Sequence, residues 1–224
     1  MLVGHIGIGL VAKAIEPRMK LGTMLAAALF LDIVFFVGVL GGIEHVTVPR
    51  DYAVSHLLSF DFPYSHSLLS SVLLAVLVAM AWALWGGRRA RRHGAYWDGI
   101  ALIAITVLSH WFLDLAVHGP DMALYPGGEG YGLGLWRHEP AALLLELALA
   151  AAGFAAFALR SQLGWGRKLA IGGMVAAVAA FAVEGAFAAA PPPDAAVMAL
   201  FWLAVIALSI GIAAWADRSR RLVG

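Results

Sequence analysis

The sequence predicts an all-α fold, a polytopic transmembrane bundle of about six full spans with one short N-terminal membrane helix in front. Three observations predict it. The chain of 224 residues is 62% hydrophobic and only 13% charged, against about 45–50% and about 25% in soluble domains, and its mean hydropathy is +0.86. Its apolar residues gather into stretches close to the roughly 20 residues a helix needs to cross hydrocarbon. Short loops marked by glycine, proline and basic residues separate those stretches.

Residues 2–15, LVGHIGIGLVAKAI, are apolar but lack the basic leader and small-residue cleavage site of a removable signal peptide. They read as a retained first helix. At about 1.5 Å per residue it rises only about 20 Å, so it enters the bilayer from one side without crossing comfortably. Longer spans follow at 21–42, 64–86, 98–118, 140–160, 168–189 and 195–215. Gly41-Gly42, Gly86-Gly87 and Gly119-Pro120 end spans, and Pro63 and Pro140 stand where helices can begin. Pro191 to Pro193 forbid continuation of the helix before them. No repeat or low-complexity segment interrupts this order, so residues 1–224 form one domain.

Translocating Lys and Arg is unfavourable, so they stay on the cytoplasmic side. All but Arg50 and Arg137 of the 15 Lys and Arg fall on one side of this topology. The C-terminus is then cytoplasmic, as in a multi-pass protein of the bacterial inner membrane, and the loops at 43–63, 119–139 and 190–194 face outward. The Arg88 to Arg92 run reads as part of this topogenic signal. A net charge of +1 with no continuous basic stripe argues against nucleic acid as a partner; membrane lipids are the natural one. With no cysteine, any metal must be held by His, Asp or Glu, and eight histidines are available.

The strongest local signal is Ser109-His110-Trp111-Phe112-Leu113-Asp114 within an apolar span. A His and an Asp four residues apart lie on one helical face, about 40° apart, and can coordinate one ion; a hydrogen-bonded structural pair is an equal alternative. Ionisable groups at membrane depth are costly and usually functional. Asp32 interrupts Leu-Phe-Leu-Asp-Ile-Val-Phe-Phe with no basic residue on its helix, so it needs a partner on another helix or a cation. His5 sits between Gly4 and Gly7, which permit close helix approach. His66 opens a span just after Asp61 and Pro63, and Asp61 reads as that helix's N-cap.

Depth connects these residues. At about 1.5 Å per residue, His66, His110, Asp114 and Asp32 all fall roughly 5 to 15 Å below the outer boundary, and His5 reaches the same layer. Four helices therefore present three His and two carboxylates at one level, a set that suits zinc, manganese or iron. Ser65, Ser67 and Ser109 flank the candidate ligands as orienting groups. Whichever of Asp32, Asp114 and Glu146 is not a ligand is the candidate proton acceptor, although Glu146, like Glu184, also reads as a structural carboxylate. His118, Asp121 and Arg137 are candidates for contacting substrate, against solvated loop ends and an interfacial anchor beside Trp136. His45, His56 and His93 have no constellation around them.

The order His5, Asp32, Ser65-His66-Ser67, then Ser109-His110 to Asp114 resembles the bacterial membrane-bound metal-dependent hydrolase family over roughly the first 126 residues. That resemblance implies His5, Asp32, His66, His110 and Asp114 as metal-site residues, with residues 127–224 as supporting helices. Two features depart from it: the acidic motif retains only Asp32, and Tyr64-Ser65-His66-Ser67 lacks the family's first His and its Arg. The stretch Asp121 to Gly128 resembles the outer loop that follows the His-Asp helix in that group, and is expected to wall the site. The expected activity is hydrolysis of a lipid or amphipathic ester or phosphoester, facing the outer leaflet. A metal-ion or proton-coupled transporter, and a scaffold with a structural metal, are the alternatives.

Overall fold

The structure, a computed structural model, describes residues 1–52, 57–87, 96–187 and 194–218. Helix α1 (Leu2–Ile15) is followed by α2 (Leu21–Ala28) and α3 (Phe30–Leu40), a short hairpin of β1 (His45–Thr47) and β2 (Ser59–Asp61), and α4 (Leu68–Ala81). Then come α5 (Tyr96–Val117), a second small hairpin of β3 (Met122–Ala123) and β4 (Gly130–Tyr131), α6 (Glu139–Arg160), α7 (Trp165–Phe187) and α8 (Ala195–Asp217). Among the described residues, α5 to α8 and the continuous stretch Leu68–Gly86 are each long and apolar enough to cross a membrane. The chain is a multi-pass helical membrane protein. His56, His93, Arg88 to Arg92, Arg220, Arg221 and Pro191 to Pro193 lie outside the described residues.

The span expected at 21–42 is broken. α2 and α3 meet at Leu29 with a bend of 56°, and this pair can count as one further span. Asp32 therefore lies in the first turn of α3, where the exposed amides and the helix dipole favour a carboxylate. The span expected from residue 64 also starts later. α4 begins at Leu68 and is capped by Ser67, whose hydroxyl accepts from the Ser70 amide at 3.3 Å. Asp61 is not the cap: it pairs with His45 in the β1–β2 hairpin.

The short first helix is deeply enclosed. Ten of the 14 residues of α1 are buried, so its limited length matters little, because protein and not lipid surrounds its backbone. It lies against α6 at a crossing made of glycine. A Cβ on Gly7 would stand 2.4 Å from the Leu149 carbonyl oxygen, and one on Gly153 would stand 2.2 Å from the Gly7 carbonyl oxygen; only missing side chains let the two backbones approach this closely. At the basic end, the Lys13 ammonium donates to the Met19 and Pro17 carbonyls and to Asp217, which also accepts from the Leu21 amide at 2.7 Å. The end of α1 is thereby tied to the starts of α2 and the end of α8. Between these two fastenings lies a core of Leu10, Leu21, Met24, Leu25, Ile103 and Val107, all fully buried.

Candidate metal centre

Three helices and one turn bring the five candidate ligands together. His5 comes from α1, Asp32 from α3, and His110 and Asp114 from α5, while His66 comes from the turn before α4 and not from a helix. His5 Nε2 lies 3.0 Å from Asp114 Oδ1. His110 Nε2 lies 3.1 Å from Asp114 Oδ2, 3.3 Å from His66 Nε2 and 3.6 Å from Asp32 Oδ1. His66 Nε2 and Asp114 Oδ2 are 3.5 Å apart. Donors bound to one ion at about 2.0–2.2 Å in a tetrahedron stand roughly 3.3–3.6 Å from one another. The spacing fits. Two overlapping groups, His5 with His110 and Asp114, and Asp32 with His66 and His110, each place one donor atom per residue within 4.8 Å of the others.

Hydrogen bonding fixes which nitrogen points inward. His110 Nδ1 lies 2.8 Å from the Ala28 carbonyl, and a carbonyl only accepts, so Nδ1 carries the proton. In the neutral ring Nε2 is then bare. That bare nitrogen can accept from His66 Nε2 at 3.3 Å and faces two carboxylates, whose negative charges need a positive charge among them. The broken helix supplies the partner: α2 ends at Ala28, beside the bend, where its carbonyl is turned to His110. His5 stacks on His110 with ring centroids 3.5 Å apart and 11° between planes. Its Nδ1 is buried with no hydrogen-bond partner among the described residues. The Met1 amino nitrogen stands 3.6 Å from Asp114 Oδ1. This buried His/Asp cluster can hold a metal ion.

Asp32, His66 and Asp114 of the cluster, but not His5 or His110, form with Glu146 the polar floor of a cavity of about 370 Å³. Above it the walls are apolar: Phe35, Phe36, Phe60, Phe62 and Trp136, with Val178 and Phe181 of α7 and Met198 and Trp202 of α8. Phe62 touches both His66 and His118, at centroid distances of 4.7 and 5.2 Å. Glu146, on α6, faces the helix carrying His5: a Cβ on Gly4 would stand 3.8 Å from Glu146 Cα.

The other expected contacts divide. His118 lines the cavity, with its Nδ1 3.2 Å from Asp121 Oδ2, while Arg137 is exposed and does not line it. Glu184 is exposed too. The loop from Asp121 to Gly128 does not wall the cavity. Its hairpin is drawn aside because Gly130 and Gly132 lie against the backbone of His118 to Asp121, within 3.0 Å of where their Cβ atoms would stand, and His118 and Trp136 close that flank instead. Two contributions escaped the sequence. α7 and α8 furnish a wall through apolar residues indistinguishable from any lipid-facing ones. Glu44 is 1% exposed and accepts from the Tyr64 and Ser65 amides at 3.0 and 2.7 Å; burial pushes its carboxyl above the ordinary carboxylate range. A lone Glu after two glycines carries no spacing that announces this.

No family model, curated protein or solved structure matches this chain.

Proposed function

We propose that this chain is a divalent-metal-dependent hydrolase of the bacterial inner membrane, acting on a lipid or other amphipathic ester or phosphoester from the outer side. The observation that carries the reading is the convergence of five donors, three of which, Asp32, His66 and Asp114, line a cavity whose other walls are apolar. A polar reacting group seats on the floor while an apolar chain fills the walls. The motifs resembling the membrane-bound metal-dependent hydrolases supply the same five residues. Three imidazoles and two carboxylates without a thiolate suit zinc, with manganese or iron as alternatives.

His5, Asp32, His66, His110 and Asp114 would hold the ion. Bound there, it would supply Lewis acidity toward the scissile group and lower the pKa of a water molecule. Glu146 lines the same floor but belongs to neither donor group, which suits it to accept the proton that water gives up. The aromatic walls hold the apolar part of the substrate and exclude bulk water. The fully buried Leu10, Met24, Leu25 and Ile103 lie toward the basic end, and this apolar packing among the described residues favours a one-sided site over a transport route. The distribution of Lys and Arg supports a cytoplasmic position for that end and a cavity facing the outer leaflet.

The test is turnover in detergent micelles, where no gradient exists. Wild-type protein should cleave a lipid-like ester or phosphoester in a chelator-sensitive manner, and Asp114→Asn should abolish this while the fold persists. Absence of turnover over a broad substrate panel, together with metal or proton flux in proteoliposomes that Asp114→Asn removes, would replace the hydrolase with a transporter.

A further inference from the structure

We propose that the substrate is a single-chain amphiphile whose tail runs from the donor floor along one face of α7, and that Gly185 limits the room for that tail. This rests on the hydrolase reading above and adds the size of the molecule it acts on.

The cavity-facing positions of α7 fall at helical spacing. Val178, Phe181, Ala182 and Gly185 stand at i, i+3, i+4 and i+7, and all line the cavity. Their size falls along the helix, from Val178 and Phe181 to Ala182, Gly185 and Ala186. Phe181 is set edge-on against Trp202 of α8, with centroids 6.5 Å apart and 84° between planes, so it bounds the space. At Gly185 the opposite holds: the residue is exposed, and a Cβ there would meet nothing within 4 Å. The cavity is open at this point. Its distance from the floor follows from the register of α6 and α7, which are joined by the short segment 161–164 and so run antiparallel. Gly172 lies against the Phe154 ring, so Glu146, eight residues before Phe154, comes level with residue 180, eight after Gly172. Gly185 stands five residues, or roughly 7.5 Å, beyond that level.

The volume sets the size of the occupant. An apolar cavity of about 150 Å³ admits benzene, so at the same packing a cavity of about 370 Å³ admits about 15 non-hydrogen atoms. An ester or phosphate group held at the floor uses about five of these, which leaves about ten carbons for the tail. One chain of that length fills the walls, and a longer one emerges past Gly185. The paired long chains of a membrane phospholipid do not fit. The walls demand hydrocarbon, because a polar tail would lose its water there without gaining hydrogen-bond partners.

Alkylphosphonates test this without turnover, because their carbon–phosphorus bond resists hydrolysis. Binding of radiolabelled butylphosphonate and decylphosphonate is measured on protein in nanodiscs with zinc present, and empty nanodiscs are subtracted. Wild-type protein should bind decylphosphonate saturably, one per chain. In Gly185→Trp the indole occupies the path of the tail, and each excluded methylene costs about fourfold in affinity, so decylphosphonate should weaken at least about tenfold. Butylphosphonate, whose tail ends short of Gly185, should be unaffected. Gly211→Trp is the control: Gly211 does not line the cavity, a Cβ there also meets nothing within 4 Å, and both probes should bind as in wild type. Should Gly185→Trp fail to fold, Gly185→Leu is measured in its place, with an expected loss of about fourfold for decylphosphonate. No saturable decylphosphonate binding, wild-type affinity in the Gly185 variant, an equal loss of both probes, or dihexadecyl phosphate binding as tightly as decylphosphonate would overturn the proposal. Length-dependent binding by a protein that turns over no ester or phosphoester would sink the hydrolase reading and leave the tail site standing, and turnover without such binding would do the reverse.

Discussion

Gly153→Ala tests the site without touching a ligand. The added Cβ would stand 2.2 Å from the Gly7 carbonyl oxygen and 2.7 Å from Gly7 Cα and carbonyl carbon, where ordinary contact starts near 3.4 Å. Both sides of this crossing are backbone, so no rotamer change relieves it, and α1 and α6 must part by about 1.2 Å. Alanine is about 1 kcal/mol better than glycine within a helix, but overpacking of this kind costs about 1–3 kcal/mol, and the net change is destabilising. α1 carries His5, whose Nε2 lies 3.0 Å from Asp114 Oδ1. Metal–ligand distances tolerate only about 0.2 Å, so a shift near 1 Å removes His5 from the centre. Zinc competition in detergent should show at least about a tenfold loss of affinity, comparable to loss of an outer-shell partner, with a lowered Tm. Gly173→Ala is the control, since a Cβ there meets nothing within 4 Å, and it should leave both measurements unchanged. Wild-type affinity in Gly153→Ala would refute the dependence of the centre on this crossing.

Four further outcomes follow from separate parts of the molecule. His110→Ala should lose most of the zinc measured by elemental analysis of purified protein, because His110 is common to both donor groups; near-stoichiometric metal in the variant would remove it from the centre. Asp217→Asn should lower stability by about 3–5 kcal/mol, the scale of a broken buried pair, since Lys13 and Asp217 are 4% and 9% exposed, and a denaturant midpoint within error of wild type would contradict that. Glu16 is held below its ordinary carboxylate range chiefly by hydrogen bonding from Arg18, so its contribution is present above that range and is lost as pH falls through the folded value; Arg18→Gln should flatten this acid limb in a Tm-against-pH profile. Single cysteines at Gly128 and Gly164, in loops at opposite ends of the spans, should differ in labelling by an impermeant reagent in intact cells, with only Gly128 reacting, and the reverse pattern would invert the topology.

The broken helix gives the centre its chemistry. A continuous helix through Leu29 would commit the Ala28 carbonyl to its own ladder, whereas the 56° bend leaves it to orient His110 and sets Asp32 at a helix start. Gly7 and Gly153 then carry His5 to the same point.

Hydrophobic length and basic punctuation were enough to read a membrane bundle, because water-free hydrocarbon admits few backbone solutions, and the ends of α5, α6 and α8 fall within two residues of the expected limits. The five candidate ligands were legible for a related reason: a charged or imidazole side chain inside an apolar span stands out against the cost of burying it, and the helical rise puts such residues at a common depth. What spacing along one chain cannot encode is which neighbour a group meets. The break at Leu29 carries no proline or glycine, Glu44 acts on a turn some twenty residues away, and the cavity wall of Val178, Phe181, Met198 and Trp202 is made of the same residue types that face lipid elsewhere on their helices. Those features are set by packing between helices, where a missing Cβ or an unpaired carbonyl decides the contact, and so they exist only in the folded chain.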